Sequence, residues 1–172
     1  MKISQTIEAK SDQLNADDLI GGVKTIKITG VKVLDTDVQP VAISYAGDNG
    51  KPYKPSKGMR RVLVQLWGDE SDNFIGKSLT LFRDDNVKFG GSAVGGIRIS
   101  HASHIDKPTR VLETISRGKR KPITINPIVK QKLKDVKKAK EAITKGTYTF
   151  EQINELYDLN EEQTKILNNE KV

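Results

Sequence analysis

Residues 23–35, VKTIKITGVKVLD, alternate apolar and polar side chains, as a β-strand with one buried face does. Ile26 and Ile28 flank Lys27 in this pattern. Gly30 then interrupts the alternation, which predicts a bulge or a sharp bend. The stretch therefore predicts that this part of the chain folds as a β domain.

Further short segments continue the period of two as far as residue 127. We predict strands over residues 40–46, 60–68, 77–85 and 94–101, and then a hairpin over 110–128 with Gly118 near its turn. Short strands at this spacing are typical of a small closed barrel or a sandwich. The fold class predicted from the residues is therefore mainly β.

The two ends of the chain have a different character. Residues 1–22 predict an N-terminal arm with one short helix, because Asn15 is a suitable N-cap residue. After Pro127 the apolar period becomes helical, and capping boxes at Thr149 and Asn160 predict two more short helices. We therefore divide the chain into an arm (1–22), a β domain (23–127) and an α-helical region (128–172).

Composition limits the compartment and the chemistry. The chain of 172 residues has no cysteine, so disulfides and thiolate metal sites are impossible, as suits a reducing cytosol. The first residues lack the apolar core of a secretory signal, and no segment approaches the roughly 20 apolar residues of a membrane span. We expect a soluble cytoplasmic protein with no membrane association.

The positive charge is concentrated in the middle of the chain. The formal net charge is +7 overall, +8 over residues 51–122 and +5 over residues 123–145, whereas both ends are acidic. A basic centre favours a polyanionic partner, most often nucleic acid. A lysine-rich solvated surface without such a partner is the alternative.

Three motifs suggest chemistry but are incomplete. Gly76-Lys77-Ser78 resembles the end of a phosphate-binding P-loop, but Ser71 stands where that loop needs glycine. His101 and His104 could share a metal only if the strand bent between them, because residues i and i+3 of a strand face opposite sides. Acidic residues after the strands could serve a metal-dependent nuclease, but no nucleophile–base arrangement accompanies them. We therefore expect no catalytic residues and no metal site.

Cations interleaved with aromatic residues remain as the strongest signal. Cations can follow the phosphates of a single strand while flat rings stack on its bases. In 60–68 we assign Val62, Val64 and Leu66 to the interior and Trp67 to an exposed platform, with core packing of the ring as the alternative. The hairpin sequence SRGKRKP (116–122) adds a basic finger. The residues predicted to bind nucleic acid are Lys27, Tyr53, Lys54, Lys57, Arg60, Arg61, Gln65, Trp67, Phe82, Arg83, Lys88, Phe89, Arg98, His101, Arg117, Lys119, Arg120 and Lys121.

The glycine-rich run KFGGSAVGGIRISHASHI (88–105) fits this interpretation as a kinked strand. Gly90 and Gly91 end the segment that follows the predicted fourth strand. Gly95 and Gly96 let the fifth strand bend or let a ligand backbone approach closely. We expect Ile97 to point inward and the histidines to lie at the rim of a groove.

The words MRRVLVQLWGD (59–69) and FGGSAVGGIRISH (89–101) resemble a class of small tailed-phage proteins of replication and recombination. These are similar to phage single-stranded-DNA-binding proteins with an oligonucleotide-binding (OB) fold, and the resemblance covers residues 20 to about 127. It implies a small OB-like five-stranded barrel with an extra hairpin, followed by the helical tail. It also implies no cofactor and a role on single-stranded DNA. Many OB folds carry a helix between their third and fourth strands, where this sequence offers only DESDNFIG (69–76).

The predicted function is non-enzymatic binding of single-stranded DNA with low sequence specificity, in support of phage DNA replication or recombination. The alternative is an interaction protein that modulates a replication or defence protein, and the C-terminal helices are the candidate docking region for protein partners. A metal-dependent nuclease is a third possibility.

Overall fold

The chain divides into two compact units, residues 1–128 and 129–172. The computed structural model describes residues 11–89, 91–116 and 118–168. In chain order the first unit contains β1 (Lys24–Val33), β2 (Val41–Tyr45), α1 (Lys57–Trp67), β3 (Ser78–Asp84), β4 (Lys88–Phe89), β5 (Ser92–Ala93), β6 (Gly96–Ala102), β7 (Thr109–Ser116) and β8 (Lys119–Pro127).

A mixed six-stranded sheet forms the frame of this unit, in the order β2-β1-β3-β6-β8-β7. Neighbouring strands are antiparallel except β6 and β8, which are parallel. The mainly β class is thus confirmed, as is the terminal hairpin formed by β7 and β8. Among the described residues no pairing joins the edge strands β2 and β7, so the sheet is open there and a closed barrel is not observed.

Strand β1 bends where the sequence loses its alternation. Its first half, Lys24 to Lys27, pairs with β3, and its second half pairs with β2 across a register shift between Ile28 and Gly30. The predicted irregularity at Gly30 is therefore confirmed. One strand can join both partners because a bulge increases local bend and twist.

The segment 60–68 is a helix, so the predicted third strand is wrong. Its buried residues Met59, Val62, Leu63 and Trp67 recur at helical spacing, whereas Val64 is 43% exposed. Two local signals agree with a helix. The Ser56 hydroxyl accepts a hydrogen bond from the backbone N–H of Met59 as an N-cap, and Gly68 ends the helix at φ +89°. The apolar residues Val62, Leu63, Val64 and Leu66 fit a strand and a helix alike, and packing against the sheet selects the helix.

A single hydrophobic core connects α1, the sheet and the N-terminal segment. The predicted short helix after Asn15 is one 3₁₀ turn, Ala16–Leu19, and both Leu14 and Leu19 are buried in this core. The segment predicted to be a separate arm therefore packs, from residue 14 onwards, as part of the first unit. The main contributors to the core are Ile26, Ile28, Ile43, Tyr53, Met59, Val62, Leu63, Leu79, Leu81, Ile99, Val111 and Ile125.

The second unit is a small helical module. It contains β9 (Gln131–Lys132), α2 (Val136–Thr144), α3 (Phe150–Leu156), β10 (Tyr157–Asp158) and α4 (Glu161–Leu167), and β9 pairs in parallel with β10. Both predicted capping boxes are present, Thr149 with Gln152 and Asn160 with Gln163. Across the described part of the chain, no helix is both long and apolar enough to cross a membrane.

Candidate nucleic-acid interface

A basic cleft of about 540 Å³ lies between helix α1 and the terminal hairpin. Helix α1 forms one wall, and strands β7 and β8 form the other. We name it the α1–β7 cleft and define it by its lining residues, Lys57, Arg60, Arg61, Val64, Gln65, Leu112, Thr114 and Arg120.

Gln65 fixes the width of this cleft. Its side-chain Nε2 donates to the carbonyl oxygen of Leu112 at 3.2 Å, and its Oε1 accepts from the Leu112 N–H at 2.9 Å. The side chain thus pairs with the open edge of β7 much as another strand would. Gln65 is a predicted binding residue, and the structure gives it this positioning role at the cleft wall.

Among the described residues, those that line the α1–β7 cleft carry four positive charges and no carboxylate. Lys57, Arg61 and Arg120 are exposed, whereas Arg60 is half-buried. Among the described residues the buried Nε of Arg60 has no hydrogen-bond partner, so this guanidinium retains unused donor capacity. Such a cleft attracts phosphate groups.

Its apolar floor consists of Val64 and Leu112, which are 43% and 47% exposed. None of the described residues that line the cleft is aromatic. The arrangement therefore suits the phosphates and sugars of a nucleic-acid backbone rather than base stacking.

The prediction of an exposed Trp67 is wrong, and the predicted binding residue Tyr53 is buried as well. Trp67 is only 8% exposed, packs against Phe74 with ring centroids 5.5 Å apart, and donates from Nε1 to the carbonyl of Ser103 at 3.1 Å. Tyr53 is 1% exposed and bridges to Ile43 through the backbone. Both rings belong to the hydrophobic core. Trp67 faces inward because α1 is a helix and not a strand. Phe82 is half-buried, and the side chain of Phe89 lies outside the described part of the chain.

Several predicted cations are neutralised by acidic partners. Lys54 Nζ contacts the carboxylate of Asp12 at 2.7 Å, and this partner lowers the pKa of Asp12. Arg83 pairs with Asp85 and with Asp17 of the N-terminal segment. These two cations are therefore occupied within the first unit.

Arg98 is a further neutralised cation, and its role is structural. Its Nη1 pairs with the buried carboxylate of Glu113, and its Nε lies 3.6 Å from Asp84. The predicted outward placement of Arg98 for phosphate contact is therefore wrong. A half-buried guanidinium between two carboxylates links β6 to β7 and β3 instead.

The remaining predicted residues are distributed over the first unit. Lys27 is half-buried in β1, Lys88 is exposed on the short β4 strand, and Lys121 is exposed in β8 opposite Glu113. Arg117 and the side chain of Lys119 lie outside the described part of the chain.

Leu112, Thr114 and Val64 are cleft residues that the sequence did not predict. Reading 57–65 at a helical period would have grouped Lys57, Arg60, Arg61 and Val64 on one face.

The glycine-rich run serves close packing within the chain. A Cβ at Gly96 would lie 2.8 Å from Val87 Cγ1, and a Cβ at Gly95, where φ is +74°, would lie 2.6 Å from Arg83 Cζ. The close approach expected at these glycines is therefore an approach by neighbouring side chains of this chain. Gly90 lies outside the described residues.

The two histidines each bond to a neighbouring serine. His101 Nδ1 lies 2.9 Å from Ser100 Oγ, and His104 Nδ1 lies 2.8 Å from Ser103 Oγ. Over the residues that the structure describes, no three His, Asp or Glu side chains converge as a metal site would require. Lys77 of the Gly-Lys-Ser motif lies over the Trp67 ring, 5.1 Å from its centroid.

Comparisons with protein-family models, curated proteins and solved structures found no match.

Proposed function

We propose that this protein is a non-enzymatic single-stranded-DNA-binding protein that holds the phosphate backbone of the strand in the α1–β7 cleft. The observation that carries the proposal is the set of four cations around a concave surface whose described lining residues include no carboxylate. Neutralised phosphates release their counterions, which supplies affinity without sequence preference. Low specificity follows from contacts to the backbone rather than to base edges.

The concave shape favours a single strand over a duplex. A cleft of about 540 Å³ between a helix and a hairpin can enclose a segment of one phosphodiester chain. A duplex presents its phosphates on a wide, rigid cylinder that would rest on the rim. Val64 and Leu112 supply an apolar surface for sugars or unstacked bases.

The order of elements supports an OB-like relationship. The β1–β2 hairpin leads to the single bridge at Tyr53, then to α1, then to β3 on β1 and β6 on β3. This order is the one we expect of an OB fold whose third strand is reduced to one bridge, with α1 between the third and fourth strands. The resemblance to phage proteins adds a setting, DNA replication or recombination in the host cytoplasm.

The direct test measures binding of fluorescein-labelled oligo-dT by anisotropy over a salt series. We expect log K to fall with log salt at a slope of about −0.7 per neutralised phosphate. Arg61→Glu should weaken binding about tenfold or more and make that slope shallower. Lys107→Glu is the matched control, because Lys107 is also exposed but lies outside the cleft.

Two results would overturn the proposal. One is the absence of oligo-dT binding at low salt. The other is an equal loss of affinity in Arg61→Glu and Lys107→Glu, since that would indicate diffuse attraction to net charge. Unlabelled duplex of equal length should compete less well than unlabelled oligo-dT.

A further inference from the structure

The second unit contains a groove of about 430 Å³ that is separate from the α1–β7 cleft. One side is formed by residues 131–135, the floor by helix α2, and the other side by Tyr148 and the end of α3. We name it the α2–α3 groove. All of its lining residues lie between positions 131 and 157.

The interior of the α2–α3 groove is apolar. Ala139 and Ala142 leave a depression on α2 because their side chains are small, and Ile153 is buried beside them. Tyr148 and Leu156 line the same groove yet remain 43% and 54% exposed. A partner that covered these two side chains would gain the free energy of apolar burial.

The rim of the groove is cationic. Lys132, Lys134 and Lys138 line it, and among the described lining residues the one carboxylate belongs to Asp135. Asp135 is already engaged as the N-cap of α2, where its Oδ1 accepts from the Lys138 N–H at 2.9 Å. Residues 129–145 carry a net charge of +5 and supply the lysines of the rim, whereas residues 146–172, which supply Tyr148 and the end of α3, carry −4.

We propose that the α2–α3 groove binds an acidic, amphipathic helical segment of a partner protein. Apolar side chains at i, i+3 and i+4 of that segment would cover Tyr148 and Leu156, and its carboxylates would face the lysine rim. A nucleic acid would pair its phosphates with the lysine rim but would leave the apolar depression at Ala139 and Ala142 unfilled. The proposal does not depend on the α1–β7 cleft.

The probe is a fluorescein-labelled peptide of about four helical turns, with leucines at i, i+3, i+4 and i+7 and glutamates elsewhere. Anisotropy with the full chain should give saturable binding. A scrambled peptide of the same composition, which lacks the apolar face, should bind at least about tenfold more weakly. Equal binding of the two peptides would overturn the proposal, because only charge would then be recognised.

Matched variants locate the site on the full chain. We expect Leu156→Glu and Lys134→Glu each to weaken peptide binding about tenfold or more. The controls are Val129→Glu, at a residue 78% exposed, and Lys137→Glu, on an exposed position of α2; neither residue lines the groove, and both variants should bind like the parent chain. Circular dichroism checks that each variant remains folded.

Two further measurements separate this site from the proposed DNA site. Arg61→Glu should bind the peptide normally, and oligo-dT should not displace it. Amide chemical-shift changes on peptide addition should centre on Ala139, Ala142 and Ile153. Displacement by oligo-dT, or shift changes confined to the α1–β7 cleft, would overturn the assignment.

Discussion

The side-chain amide of Gln65 in α1 and the backbone amide of Leu112 in β7 exchange two hydrogen bonds, at 3.2 and 2.9 Å. This pairing holds the helix against the open edge of the sheet and so defines the α1–β7 cleft. It also satisfies backbone groups on a strand edge that would otherwise be open to pairing with another chain.

Replacing Gln65 by Met should release this contact. Methionine retains similar length and helix propensity but makes neither hydrogen bond. We expect a loss of about 1–2 kcal/mol in the free energy of unfolding and faster hydrogen exchange at the Leu112 amide. Arg61→Met, an exposed change one turn away, should alter stability by less than about 0.5 kcal/mol. Unchanged exchange at Leu112 in Gln65→Met would contradict the assigned role.

Gly96 is required where β6 meets the side chain of Val87. A Cβ added there would lie within 2.8–2.9 Å of three Val87 side-chain carbons, so Gly96→Ala should cost about 1–3 kcal/mol. Gly22→Ala is the control, because nothing lies within 4 Å of a Cβ at Gly22. Urea midpoints of the two variants provide the comparison. Equal midpoints would show that the Val87 contact relaxes freely.

Tyr53 should make the fold sensitive to alkali. Burial raises the pKa of Tyr53, and among the described residues its hydroxyl has no hydrogen-bond partner. The pKa of Tyr53 is higher in the folded protein than its unfolded value of 10.0. The free energy of unfolding that this group contributes is therefore fully present below pH 10 and is lost as the pH rises above it.

We therefore expect the free energy of unfolding to fall above pH 10 by up to about 1.4 kcal/mol per pH unit from this group. Tyr53→Phe should reduce that fall, and at pH 7 it should leave stability unchanged or raise it by about 1 kcal/mol, because a buried unpaired hydroxyl is removed. Tyr45, whose pKa burial also raises, would account for the remaining pH dependence. A large loss of stability in Tyr53→Phe at pH 7 would instead reveal a partner for the hydroxyl.

Trp67 should not report DNA binding. It is the sole tryptophan, is enclosed beside Phe74, and has Lys77 over its ring. We expect blue-shifted emission, weak quenching by acrylamide and little change when saturating oligo-dT is added. Strong quenching by oligo-dT, with anisotropy showing binding, would place the ring in the interface and contradict its role in the core.

The two capped helices α3 and α4 could be predicted because their signals are local. Thr149 and Asn160 are capping residues whose hydrogen-bond partners lie three positions away, and both capping boxes are present. The mainly β class could also be predicted, because the alternation around Ile26 and Ile28 indicates a strand with one buried face. The bulge before Gly30 followed from a break in that alternation.

The segment 60–68 could not be assigned by the same reasoning. Its apolar residues fit a strand and a helix alike, and the choice depends on residues distant in sequence, such as Leu112, that contact α1. That choice turned Trp67 inward and brought Lys57, Arg60 and Arg61 onto one exposed face. The candidate site therefore keeps four of the predicted cations, Lys57, Arg60, Arg61 and Arg120, and has no aromatic ring among its described lining residues.

Charge alone predicted a polyanionic partner, but only the tertiary structure distinguishes available cations from occupied ones. Lys54 and Arg83 pair with Asp12 and Asp17 of the N-terminal segment, and Arg98 pairs with Glu113. The sequence by itself determined the residue types, the helix caps and the alternation of buried and exposed residues in the strands, because these depend on residues close together in the chain. The tertiary structure decided which cations share a cleft and which are neutralised, because ion pairs and packing depend on contacts between distant parts of the chain.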